Sequence, residues 1–293
     1  SVISREIKRN SDGRSGLYKA DLAQRKTNFR HQTKAKNCNF NQEMEACVLR
    51  YLKQDYSPEQ IVGRAALEGV EMVSHECIYQ YIWKDKRAGG KLYKHLRTKG
   101  KKYRKRAQSK DSRGLITNRI DISKRPEIVD KKERIGDLEI DLVIGKDHNG
   151  ALITINDRAT GLLFMGKIAS KESKAVEAKT IVLLEEWKPF LHTITSDNGK
   201  EFAHHQQIAE KLEVDYFFAK PYHSWERGAN ENLNGLVRQY FPKKTNFELI
   251  TQEQIDWVAN NLNNRPRKRF GFKSPNEVFA QKINENSAVA FMT

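Results

Sequence analysis

Three acidic residues stand at positions that suit a metal-assisted reaction. Asp141 lies between Ile140 and Leu142 in an alternating apolar stretch, Leu138 to Ile144, that predicts a strand. Asp fits a strand interior poorly, because its carboxylate competes with the backbone for hydrogen bonds. A charge buried there needs a partner, most economically a cation. Asp197, in Ser196-Asp197-Asn198-Gly199, closes a later strand, and open α/β sheets place ligands at such carboxyl ends. Glu231 falls on a helix opposite the stripe Leu233, Leu236, Val237 and Tyr240, and shares its face with Asn234, Gly235 and Arg238. Hard divalent cations take oxygen ligands, and two of them roughly 3.5–4 Å apart clamp the attacking and leaving oxygens of a phosphodiester. Three carboxylates suffice for two Mg²⁺ ions, or Mn²⁺ in their place, if one carboxylate bridges. Such chemistry needs acids and no reactive Ser or Cys.

Each acid also has a plain explanation. Asp137 and Glu139 share parity with Asp141, so the strand could simply present an acidic outer face. Asp197-Asn198-Gly199 could be only a turn, since Asn-Gly is a common hairpin signal. Glu231 could be an ordinary solvated helix residue. What favours the joint reading is the order of elements that carries the three acids. After Asp141 come strands at Ala151 to Ile155 and Leu162 to Ile168, then a helix with Val176, Thr180, Leu183, Leu184 and Trp187 on one face. A strand at His192 to Thr195, a helix from about Glu201, and a strand at Val214 to Ala219 follow. Two more helices close the pattern, one at Gly228 to Tyr240 and one opened by the capping box Thr251-Gln252-Glu253-Gln254. Three strands in meander and then alternating helices and strands predict an α/β domain of RNase H-like type, with a five-stranded mixed sheet. In that fold the three acids converge at one edge of the sheet.

The other half of the chain differs in charge. The net balance is +16, and it is not spread evenly: residues 1–130 hold 30 Lys and Arg against 15 Asp and Glu, whereas residues 131–293 hold 23 against 22. A polyanionic partner is expected for the N-terminal half alone. Residues 1–10 read as a short basic helix with Arg5, Lys8 and Arg9 off its apolar face, resembling the last helix of a helix-turn-helix; a frayed basic arm is the alternative. Three short helices are predicted between residues 41 and 84. The second is opened by Ser57-Pro58, and the third is capped by Ser74 after a turn that begins at Gly69. This is a helix-turn-helix pattern or, in its bland version, any small three-helix bundle. The recognition helix would offer His75, Glu76, Tyr79 and Gln80 to base edges. Arg97 to Arg106 carries seven basic residues in ten, with Lys99, Lys101, Lys102, Arg104, Lys105 and Arg106 poised for phosphates.

Other classes are disfavoured. Cys38, Cys47 and Cys77 have neither the number for paired disulfides nor zinc-ligand spacing, as expected of thiols in a reducing cytoplasm. No apolar run approaches the roughly 20 residues of a membrane span, and no signal peptide is expected. The chain opens on Ser1 instead of Met, as a segment starting inside a longer gene product would.

SREIKRN, SPEQIVGRAALEG, SHECIYQYIWKDKRAGGKLYKHLR, NRIDISKRP, GDLEIDLVIGK, SDNGKEF, PYHSWERGANENLNGLVRQYFPK and LNNRPRKRFGFKSPNEVF together make the chain recognisable. Over nearly its whole length it resembles the insertion-sequence-thirty family of bacterial transposases. The resemblance implies catalytic and metal-holding roles for Asp141, Asp197 and Glu231, whose last interval of 33 residues matches the family spacing. It departs at Asp137, Leu138 and Ile140, where the family usually has His, Trp and Gly; these flank the first acid without removing it. It also implies that Ser1–Asn10 is a remnant of a first helix-turn-helix.

The resulting expectation is a DDE transposase. Residues 1–35 are the remnant module, 38–95 a helix-turn-helix DNA-binding domain, 96–135 a basic linker and 136–293 the catalytic domain. It would act in the bacterial cytoplasm, at the nucleoid, on double-stranded DNA at transposon ends and targets, as a homodimer or larger assembly. Asn198, Arg227, Asn234 and Arg238 are expected to support the acids or contact phosphate. The alternatives are a silent DNA-binding regulator derived from such an enzyme, which the presence of all three acids argues against, and a nuclease that only hydrolyses.

Overall fold

The computed structural model describes residues 1–33, 40–99, 116–148, 150–220 and 228–290. The chain forms two compact units, Ser1–Asn41 and Gln42–Thr293. In the first, α1 (Val2–Asn10) is the short basic helix expected, capped by the Ser1 hydroxyl. Arg5, Lys8 and Arg9 are exposed, and so are Val2 and Ile3. α2 (Ala20–Thr33) follows, held to the end of α1 by Lys26 Nζ donating to the Ser11 carbonyl at 2.7 Å. Its polar residues lie nearly all round, so periodicity gives no sign of it.

The second unit begins with α3 (Gln42–Leu52), α4 (Pro58–Leu67) and α5 (His75–Arg87), the predicted three helices. Val48, Leu52, Ile61, Ala65, Ile78 and Ile82 are fully buried between them. The Ser57–Gln60 capping box starts α4, and the Ser74 hydroxyl caps α5. Cys47 and Cys77 are half-buried and in no disulfide; Cys38 lies outside the described residues.

Residues 116–135 depart from the linker expected of them. Their apolar residues are isolated and show no period, yet Ile116 joins the main core, Val129 of α6 (Glu127–Lys131) is fully buried, and Asp121 bridges to Phe218. The segment covers part of the sheet. Its Arg125 is buried and donates to Thr195 Oγ1 at 3.0 Å.

The sheet comprises β1 (Asp137–Ile144), β2 (Ala151–Asp157), β3 (Leu163–Ile168), β4 (Thr193–Ser196) and β5 (Asp215–Phe218), in the order β3-β2-β1-β4-β5. β1, β2 and β3 form the antiparallel meander, and β4 and β5 add in parallel beside β1. Side-chain alternation splits β1 between two layers. Leu138 and Ile140 pack with α7 (Ser173–Leu184) and α8 (His205–Leu212). Val143 packs on the other face with α9 (Gly228–Tyr240) and α10 (Gln252–Asn264). This is the predicted RNase H-like α/β architecture, with α11 (Pro275–Ala290) completing the chain. α7 ends at Leu184, before the Trp187 assigned to it, because a 3₁₀ turn containing Pro189 takes over. Among the described residues no helix is long and apolar enough to cross a membrane.

The three-helix module is seated on the end of the catalytic half. Gln60 Nε2 donates to the Pro266 carbonyl at 2.7 Å, and Tyr56 Oη to that of Asn264 at 3.1 Å. Arg64 grips both carboxylate oxygens of Glu277, at 2.7 and 2.8 Å. Gly63 is needed at this seat, since a Cβ there would fall 2.2 Å from the Phe272 ring. Phe272 has little room to yield, being held at φ 66° in the left-handed region. Gly63→Ala should therefore destabilise the chain by about 1–3 kcal/mol through overpacking, read as a lower denaturant midpoint. An unchanged midpoint would mean that the module does not depend on this seat.

Candidate active site

β1 and β4 bring two of the acids together by register. Asp137 pairs with Thr193, Leu138 with Ile194 and Glu139 with Thr195. The paired register ends two residues short of Asp141, and Asp197 follows directly on the end of β4, where the chain leaves the sheet on the Asp141 side. Residues level in adjacent strands point to the same face, and the strands lie about 4.8 Å apart. That face is the one α9 covers.

Asp141 is half-buried and held from both sides. Its Oδ1 accepts from the Leu142 amide at 2.9 Å, and its Oδ2 accepts from Asn234 Nδ2 of α9 at 2.8 Å. Thr154 of β2 donates to Asn234 Oδ1 at 3.0 Å and fixes the direction of that amide. Glu231 stands one turn before Asn234 on α9, exposed at the helix start. Asp197 Oδ1 accepts from the Gly199 amide at 2.9 Å, which shapes the turn after β4.

The other expected residues are placed unevenly. Asn198 is buried; its amide donates to the Ala219 carbonyl at 2.6 Å and its oxygen accepts from Arg119, so it ties the Asp197 turn to the end of β5. Arg238 donates to the Ile144 carbonyl at 2.7 Å and holds the end of β1. In α5, His75, Glu76 and Gln80 are exposed while Tyr79 is half-buried. Lys99 is exposed, whereas Lys101, Lys102, Arg104, Lys105, Arg106 and Arg227 lie outside the described residues.

Sequence reasoning missed Glu201. Burial raises its carboxyl above the usual range, and the negative charges of Asp197 and Asp141 raise it further. One group thus senses both acids, so negative charge gathers at this edge of the sheet. An acid four residues after Asp197 was the available signal.

Asp137 and Glu139 share the Asp141 face but are engaged differently. Asp137 is fully buried, bonded by Arg134 at 2.8 and 3.1 Å and by Thr193 Oγ1 at 2.9 Å. Glu139 is buried against Arg158, which also donates to the Val129 carbonyl at 3.1 Å. The strand's acidic face is therefore an internal ionic layer at one end and the candidate site at the other.

The donors at the site are all carboxylate oxygens, a set that fits a hard divalent cation. Among the described residues no group of three or more His, Cys, Asp or Glu is close enough to enclose one, with Glu231 as it stands.

No family model matches the chain. It is 56% identical over 291 residues to the transposase for insertion sequence element IS4351 of Bacteroides fragilis, covering 99% of this chain and 89% of that one. It is 35% identical over 295 residues to transposase InsI for insertion sequence element IS30A of Escherichia coli (strain K12), covering 97% and 76%. The putative integrase ORF3 of Spiroplasma virus SpV1-R8A2 B is 30% identical over 292 residues, covering 97% and 87%. Among solved structures, the catalytic core domain of BIV integrase aligns with a TM-score of 0.40 at 16% identity, over 51% of this chain and 97% of that one.

Proposed function

The chain belongs to the insertion-sequence-thirty family of transposases, and from that premise we propose that it cuts and joins DNA at a DDE site of Asp141, Asp197 and Glu231. The observation that supports this most is the β1–β4 register, which, carried on two residues past Glu139 and Thr195, would bring Asp197 level with Asp141 on the face where α9 packs. The three acids would hold Mg²⁺, or Mn²⁺ in its place, and bound metal supplies positive charge to the oxygens of a phosphodiester in in-line displacement. The chain's own groups do the positioning. Asn234, directed by Thr154, orients the Asp141 carboxylate across the β1–α9 gap. Asn198 and Arg119 fix the turn from which Asp197 projects. Burial and the charges of Asp197 and Asp141 hold the Glu201 carboxyl above the usual range. Water would be the nucleophile in cutting, and the freed 3′-hydroxyl in joining, at the same site.

Most of the grip on the DNA duplex falls to the N-terminal half. Residues 38–95 form the end-reading module, residues 1–35 a remnant of another, and the basic run through Arg106 tracks phosphates. Joining two ends calls for two active sites, hence a homodimer or larger assembly on paired ends. The direct test is a strand-transfer assay with Mg²⁺ and duplexes carrying the element's own ends. Joined products are expected, and cutting without joining would favour a hydrolytic nuclease.

The exposed start of α5 makes a separate prediction. His75→Ala and Gln80→Ala should relax preference at particular base pairs, by about 1–3 kcal/mol for each base-edge hydrogen-bond pair removed. Competition binding between end duplexes with single changes measures it. Wild-type selectivity in both variants would put the wrong helix in the groove.

A further inference from the structure

A pocket of about 260 Å³ opens where the three-helix module meets α9 and the segment after α10. Four cations line it: Arg97, Arg267, Lys268 and Arg269. The other polar groups on its wall are the amides of Gln60, Asn156 and Asn232, and no carboxylate lines it. Lys268 is paired with Glu59 at 2.6 Å. Among the described residues, Arg97, Arg267 and Arg269 have no carboxylate within ion-pair distance.

Neutral groups hold these guanidinium ions. Arg97 donates to the side-chain and main-chain oxygens of Asn232 at 2.9 and 3.2 Å. Arg267 donates to the Leu262 carbonyl at 2.8 Å, and Arg269 lies 4.3 Å above the centre of the Phe270 ring. Each guanidinium carries five N–H donors, so several remain for a ligand. Two glycines give them room. A Cβ at Gly235, one turn past Glu231, would fall 2.1 Å from Arg97 Nη2, and one at Gly161 would fall 2.6 Å from Arg269 Nη2. The cations also repel one another. Burial and the neighbouring charges of Arg265, Arg269 and Arg97 push the Arg267 guanidinium down to about 9. A bound anion would reverse that shift.

We propose that this pocket takes one backbone phosphate of the DNA strand being cut, anchoring the substrate beside Glu231. The inference rests on the reading of the chain as a DNA-cutting enzyme. Its chemistry is local: planar guanidinium forks match phosphate oxygens, and no carboxylate lines the wall, although Asp157 and Glu139 lie near enough to act on Arg269 through space. Its position follows from Arg97, which bonds the residue after Glu231 and crosses the helix one turn later.

The test uses the full chain and duplex DNA without divalent metal, so that binding is read apart from cutting. Arg267→Gln with Arg269→Gln should make the slope of log affinity against log salt shallower by about one for each phosphate no longer neutralised. Base selectivity should stay as in wild type. Lys211→Gln, on the exposed side of α8, should leave the slope unchanged. Arg269→Gln alone is the second variant, because Arg269 is exposed and its removal spares the fold. Inorganic phosphate should raise the Tm of the wild type and leave that of Arg269→Gln unmoved. Wild-type slopes in both variants, or equal stabilisation by phosphate, overturn the proposal. Strand transfer with Mg²⁺ is scored separately on the wild type, so wild-type slopes in the variants with joined products overturn the pocket alone, and absence of joined products overturns the reading on which it rests.

Discussion

Asp141→Asn, Asp197→Asn and Glu231→Gln are each expected to lower cleavage and strand transfer by on the order of a thousandfold or more, with duplex binding near wild type. The amides keep size and shape and remove the charge that holds a hard cation. At position 141 the surroundings tolerate the exchange. Asp141 accepts from Asn234, and Asn234 accepts from Thr154, whose hydroxyl can also serve as acceptor. A flip of the Asn234 amide therefore restores both bonds when an amide replaces the carboxylate. Loss of activity would then report charge, with the fold intact. Binding should survive because the excess positive charge lies in residues 1–130. Single-turnover cleavage and filter binding on the same preparations separate the two. Normal cutting by all three variants would remove the metal-site reading.

Arg158→Met is expected to cost about 3–5 kcal/mol of stability, the usual cost of stranding one partner of a buried ion pair. Glu139 is 1% and Arg158 4% exposed, and Glu139 Oε2 is buried with no other partner. Removing the guanidinium leaves that carboxylate in the interior without a hydrogen-bonded cation, since Arg125 and Arg269 act on it only through space. Arg158→Met combined with Glu139→Leu should recover much of the stability, because both desolvation penalties disappear together. Denaturant unfolding of the two variants measures this. A single-variant cost below ~1 kcal/mol, or a double variant worse than the single, would contradict the account.

These two cases mark how far the sequence could be read. The alternation from Leu138 to Ile144 announces β1 and puts Asp137, Glu139 and Asp141 on one face, as found. Whether that face is wet could not be read from it. Asp137 and Glu139 are covered by Arg134 and Arg158, and Arg158 is 19 residues away along the chain from Glu139. Basic residues in such a chain read naturally as phosphate contacts, so an internal role leaves no local mark. The same limit hid residues 116–135, where single apolar residues such as Ile116 and Val129 reach the core without a period. Asp197 was legible as the end of a strand. Its alignment with Asp141 was not, because register between parallel strands is a tertiary property. The cationic pocket joins Arg97 to Arg267 and Arg269, a combination that no window of sequence contains.

If Asp141 holds a divalent metal for strand transfer, exchanging its oxygen ligand for a softer one changes which metal supports the reaction. Asp141→Cys replaces a hard oxygen with a soft thiolate, which disfavours Mg²⁺ far more than Mn²⁺. Strand transfer by this variant should be lost in Mg²⁺ and regained in part in Mn²⁺, while the wild type works in both. A variant equally inactive in both metals, with DNA binding and folding intact, or one equally active in both, would contradict a metal-holding role for Asp141.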